Sequence, residues 1–128
     1  MKSVIVAIPS SSPGGLDSPL GAHFGHCDLY TVVEVMDGQV KDVRLLPNVP
    51  HQQGGCMAPV NHLAQNGVQV LIAGGMGMRP LMGFNQVGID VLYGGNAQTV
   101  KDAVDGFLKG VLQQFTSDFT CGGGGGGN

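Results

Sequence analysis

Residues 68–80 read Val-Gln-Val-Leu-Ile-Ala-Gly-Gly-Met-Gly-Met-Arg-Pro, and this stretch constrains the fold more than any other. The segment 68–73 is a short apolar run rich in β-branched side chains. That is the pattern of a strand buried on both faces. The glycine cluster after it allows a tight turn, and Pro80 suits the first turn of a following helix. In an open parallel sheet, ligands bind at the loop beyond the carboxyl end of a central strand. The candidate functional site is therefore placed at this loop.

The flanking sequence supplies the rest of a sheet. Residues 4–8 are continuously apolar and predict a first strand, followed over 10–21 by a loop of Ser, Pro and Gly. Loops this long are often functional. Residues 28–36 predict a second strand, and Asp37-Gly38 is a strong hairpin signal. The third strand, over 39–46, alternates through Val40, Val43 and Leu45 and returns antiparallel to the second. Another loop leads to a helix over 56–66, with Pro59 in its first turn and Asn66-Gly67 closing it. After the central strand come a short helix over 80–86, ended by Gly88, and a strand over 89–92. The last helix carries Val100, Ala103, Val104, Phe107, Leu108, Val111 and Leu112 at helical spacing, with Thr99 and Asp102 as a capping box. The order βββαβαβα predicts an α/β domain over residues 1–114. Its mixed sheet has five strands, and right-handed crossovers put helices on both faces. Residues 115–128 contain Cys121, six consecutive glycines and Asn128. Such a tail cannot repay its ordering entropy and is expected to be flexible.

Several function classes are disfavoured. Six Lys and Arg against nine Asp and Glu leave a net charge of −3, which gives no electrostatic footprint for nucleic acid. No apolar run approaches transmembrane length, and the start is broken by Pro9 too early for a signal peptide. A cytoplasmic protein without a membrane partner is the expectation. Three cysteines with no CxxC spacing argue against a disulfide framework and for free thiols. No paired carboxylates or Ser/His/Asp arrangement suggest acid–base or nucleophilic catalysis.

Three loops are chemically unusual, and each is expected at the same sheet edge. The first contains His23, Phe24, Gly25, His26 and Cys27. Two imidazoles beside a thiol are soft-metal ligands by type, although polar surface histidines and a buried small cysteine fit the same residues. The second contains Gly54, Gly55 and Cys56 at a helix start. There the helix dipole favours thiolate, or free amides hold an anion, or the cysteine is merely structural. His62, further along, reads as a surface or packing residue. The third contains Gly75, Met76, Gly77, Met78 and Arg79, with Met82 nearby. It lacks a third glycine and a Walker lysine, so nucleotide binding is weakly supported. Methionines flanking a loop glycine are poorly explained as core filler. Soft sulfur, imidazole, glycine amides and one arginine together suit a bulky anionic ligand such as a metal–sulfur cluster.

These residues, in this order and spacing, resemble the NifX/NifB-type dinitrogenase iron–molybdenum cofactor family. The likeness rests on His23-Phe24-Gly25 before a strand containing Tyr30, and on Asn48 with the later glycine pair. It continues in the segment from Gly67-Val68 to Ala73-Gly74 and in Gly88-Ile89-Asp90-Val91, covering the chain to about Leu112. It is greatest toward the branch of sulfate-reducing bacteria that carries a mixed molybdenum–copper sulfide cluster. The resemblance implies a ribonuclease H-like three-layer fold and a role in holding or delivering a cluster rather than catalysis. An iron–molybdenum–sulfur precursor is the alternative cargo. Partner proteins of a multi-component assembly, such as P-loop ATPases, are also implied. Where the family commonly has arginine after His-Phe-Gly, this chain has His26 and then Cys27.

The expected cluster site thus takes His23, His26, Cys27 and Cys56 as metal ligands. Phe24, Gly25, Gly55, Gly75, Met76, Gly77, Met78 and Arg79 would cradle, shield and neutralise the cluster. Two other functions fit the residues: an enzyme with one metal on His23 and His26, and a metal-free regulatory or interaction module.

Overall fold

A computed structural model describes residues 3–20, 28–47, 57–75, 78–94 and 97–115. Strands β1 (Ser3–Ser10), β2 (Leu29–Met36) and β3 (Gln39–Pro47) come first. They are followed by α1 (Met57–Gln65), β4 (Val70–Ala73), α2 (Met78–Val87) and β5 (Asp90–Tyr93). The described chain ends with α3 (Val100–Lys109) and β6 (Gln113–Gln114).

All the strands join one mixed sheet in the order β3-β2-β1-β4-β5-β6. β1, β4 and β5 run parallel, whereas β2 is antiparallel to both β1 and β3. The β2–β3 hairpin turns where Asp37-Gly38 predicted it. Both residues have positive φ, 55° and 79°, as the two-residue turn that matches strand twist requires. As its composition predicted, β4 is buried along its whole length. Leu71 and Ala73 face one way, packing with Val60 and Leu63 of α1 and Leu81 and Phe84 of α2. Val70 and Ile72 face the other way, packing with Val100, Ala103 and Val104 of α3. The period of two along β4 thus builds both cores at once.

Two expectations need correction. Among the described residues the sheet has six strands and not five, because Gln113–Gln114 adds antiparallel to β5. Two exposed glutamines carry no hydrophobic pattern. They pair because β5 offers a free edge, and because the pairing carries Phe115 into the core against Tyr93 (ring centroids 5.9 Å apart, edge-on). The last helix also stops earlier than its periodicity suggests. Gly110 turns left-handed at φ 72°, and its N–H donates to the Phe107 carbonyl. The Val111 N–H closes the cap onto Gly106. Val111 is consequently 68% exposed, while Leu112 folds back over Gly106.

The loop over 11–20 is a strap rather than a free loop. Ser11 N–H donates to the Pro19 carbonyl at 3.1 Å and Leu20 N–H to Gln98 at 3.3 Å. In return, the N–H groups of Val100 and Lys101 donate to Ser18 and Leu16. Its inner side rests on a buried chain of hydroxyls. Ser10 Oγ donates to the Ile8 carbonyl at 2.7 Å, and Ser10 Oγ and Thr31 Oγ1 are 2.8 Å apart. Thr31 Oγ1 also accepts from Gly15 N–H at 3.1 Å.

Candidate functional site

Strand direction decides where the unusual loops leave the sheet. β1, β4 and β5 are parallel, so Ser10, Ala73 and Tyr93 end at one edge. β3 ends there too, since Ser10 pairs with Leu29 and Leu29 with Pro47. The segments carrying the candidate residues therefore all start or finish at this carboxyl edge, where open α/β sheets bind ligands.

Of the expected site residues, His23, Phe24, Gly25, His26, Cys27, Gly55, Cys56, Met76 and Gly77 lie outside the described residues. What the structure places is the frame around them. The first segment departs from Leu20, which bridges to Ser10. It returns at Asp28, whose carboxylate accepts from Ser12 N–H at 2.9 Å. Both ends are thereby held within a few residues of the end of β1. Asp28, read from sequence as a strand starter, instead ties the strap to the entrance of β2.

The second segment leaves from Pro47 and enters α1 at Met57. His62, one turn along α1, has Nε2 3.0 Å from the Pro47 carbonyl. That contact joins the helix to the end of β3, in keeping with a packing role for His62. The third segment leaves β4 through Gly74 and Gly75 and enters α2 at Met78 and Arg79. Gly75 is buried beneath the edge. Gly94 beyond β5 donates to the Ala73 carbonyl at 2.9 Å, extending the parallel ladder toward the same place. A Cβ on Gly94 would stand 3.2 Å from Leu20 Cδ2, so the packing here is close.

The electrostatics of the edge come from helix ends. α1 and α2 both begin at it and run back toward the opposite edge, where Gln69 and Asp90 start the next crossings. Neither helix has an acidic residue in its first turn, so nothing within it neutralises the positive pole or the free N–H groups. α3 differs. Thr99 Oγ1 accepts from Asp102 N–H at 3.2 Å, and Asp102 adds a negative charge to the first turn. Two unneutralised helix starts on one face of the sheet suit an anion. Sequence reasoning anticipated this for the glycine-led start near Cys56 but did not pair it with the start at Met78.

Among the described residues, no group of three or more His, Cys, Asp or Glu is placed to hold a metal ion. The imidazole and thiol groups of the expected set all belong to the segments beyond them. No helix among the described residues is long and apolar enough to cross a membrane.

Comparison with known proteins agrees with this architecture. The model of the dinitrogenase iron-molybdenum cofactor family matches residues 2–110. An uncharacterized protein of Methanocaldococcus jannaschii, MJ0580, is 30% identical over 98 residues, spanning 75% of this chain and 82% of that protein. A candidate NifB protein from Thermotoga has a solved structure with 27% identity and a TM-score of 0.72, covering 88% of this chain and 97% of that one. The apo form of the orange protein from Desulfovibrio gigas shares the fold. It has a TM-score of 0.76 at 24% identity, covering 88% of this chain and 92% of that one. The match runs through every element from β1 to α3, so the chain belongs to the dinitrogenase iron-molybdenum cofactor family.

Proposed function

We propose that this protein binds a metal–sulfur cluster at the carboxyl edge of its sheet and delivers it, acting as a carrier and not as a catalyst. The observation that carries the reading is the pair of helix starts at Met57 and Met78. Both open on one edge and neither has a first-turn acid. A thiometalate is large, polarisable and negative, and the edge offers amide donors and positive helix poles with no acid in the first turn of either helix. Family membership over residues 2–110 supports the same cargo class.

In this reading His23, His26, Cys27 and Cys56 supply soft ligands. Arg79 and the amides of Gly55, Gly75 and Gly77 balance the charge. Phe24, Met76 and Met78 exclude water, and Gly25 lets the backbone approach closely. A molybdenum–copper sulfide cluster suits a site with this many sulfur and imidazole groups, and an iron–molybdenum–sulfur precursor is the alternative cargo. The recipient belongs to a cytoplasmic multi-component assembly in which P-loop ATPases are candidate partners.

The test is an optical spectrum with elemental analysis on protein purified without oxygen, then mixed with thiomolybdate and copper(I). Intense visible bands, with molybdenum and copper retained through gel filtration, are the expected result. Colourless protein without bound metal would overturn the carrier reading. Zinc alone would favour a single-metal enzyme on His23 and His26 instead.

A further inference from the structure

Asp28 puts a carboxylate at the edge to which the cargo is assigned, next in sequence to Cys27. Neither local structure nor charge accounts for it. Aspartate is among the residues that strands disfavour, and a negative group beside an anionic cluster repels it. What the side chain does have is a partner. Its Oδ2 accepts the Ser12 N–H at 2.9 Å, sixteen residues away.

Ser12 belongs to a well-tied part of the molecule. The Gly14 N–H donates to the Ser11 carbonyl at 3.0 Å and closes a turn around it. On either side, Ser11 N–H donates to the Pro19 carbonyl and Gly15 N–H to Thr31 Oγ1. The strap in turn accepts from the first free N–H groups of α3, those of Val100 and Lys101. Among the described residues, β2 pairs with its neighbours from Leu29 onward, where Leu29 meets Ser10 and Pro47. The ladder therefore stops one residue short of Asp28. The bond to Ser12 carries the order across that residue, up to the peptide that joins it to Cys27.

We propose that Asp28 is a positioning residue for the metal–sulfur cargo. It fixes the chain on the carboxyl side of Cys27 through its bond to the Ser12 N–H, and its charge takes no part. The proposal rests on the carrier reading and adds to it a residue that ligates nothing.

A bond made before the cargo arrives leaves less backbone to order on binding. One residue's backbone freedom is worth a factor of about five or more in a dissociation constant. Asparagine keeps an accepting oxygen in the same place and removes the charge; alanine removes both. Ligation or attraction by the carboxylate would therefore fail in both variants, whereas positioning fails in alanine alone. Asp28 is exposed, so neither change disturbs the core.

The experiment loads wild type, Asp28→Asn and Asp28→Ala with thiomolybdate and copper(I) without oxygen. Loss of the visible bands is then followed after dilution, at a temperature where all three are folded. Asp28→Ala should release the cargo at least about fivefold faster than wild type, and Asp28→Asn should stay within about twofold of it. In the metal-free chains, amide exchange at Ser12 should quicken in Asp28→Ala and hold near wild type in Asp28→Asn. A role confined to stability would lower Tm without changing release from the folded protein. Release from Asp28→Ala at the wild-type rate overturns the proposal and leaves the carrier reading intact. So does equal acceleration in both variants, or Ser12 exchange indifferent to Asp28→Ala. A wild-type chain that takes up no thiometalate overturns the carrier reading and this role with it, an outcome read on wild type alone.

Discussion

Thr31→Val tests the link between the sheet and the strap that frames the site. The Ser10 hydroxyl has one proton, and it goes to the Ile8 carbonyl. The 2.8 Å contact between Ser10 Oγ and Thr31 Oγ1 therefore has Thr31 as its donor. The result is a directed chain from Gly15 N–H through Thr31 and Ser10 to Ile8. Valine keeps the shape of threonine but can neither accept nor donate. Ser10 and Thr31 are fully buried, so water cannot substitute at that end. Gly15 N–H, only partly buried, loses its acceptor at smaller cost. Together these losses amount to about 2 kcal/mol. In a domain of this size that lowers Tm by roughly 8 °C. Urea unfolding should give the same free energy with an unchanged slope. Amide exchange should quicken first at Gly15. Ser10→Ala breaks the next link of the same chain, so the double variant should fall short of additivity by about 1 kcal/mol. A loss below ~0.5 kcal/mol, or strict additivity, would refute the directed chain.

Arg79→Glu should weaken retention of a thiometalate at least about tenfold, about 1.4 kcal/mol, and added salt should shrink the difference; retention by the variant equal to wild type would remove the electrostatic part of the carrier reading. Replacing Cys27 and Cys56 together by Ser should lower the retained metal per chain, measured by elemental analysis after gel filtration, while leaving the far-ultraviolet spectrum unchanged. Gly110→Ala should cost about 1 kcal/mol through its left-handed backbone alone, because no atom lies within 4 Å of the added Cβ. An unaltered Tm would show that the helix ends differently in solution.

Much of the local structure was legible in the sequence because local forces set it. Asp37-Gly38 adopts two positive φ values that few other residue pairs tolerate, so the β2–β3 hairpin follows from two adjacent residues. Thr99 and Asp102 start α3 through a contact three residues apart. Residues 70–73 announce a doubly buried strand by having no polar face to offer water. The end of α3 was misread for a related reason: Val111 and Leu112 keep the helical period, but Gly110 reverses the backbone before they can join it.

The sequence by itself therefore determined the hairpin, the start of α3, the buried central strand and the family. Only the tertiary structure decided the rest, because it rests on partners far apart in the chain. β6 exists because β5 has a free edge, not because Gln113 and Gln114 prefer extended backbone. The hydroxyl chain joins residues sixteen and twenty-one positions apart, through contacts no short pattern encodes. The common edge of the candidate loops is likewise a consequence of strand order and direction. Parallel strands end at the same edge, as β1, β4 and β5 do here, and β3 ends there with them because β2 between it and β1 runs antiparallel to both.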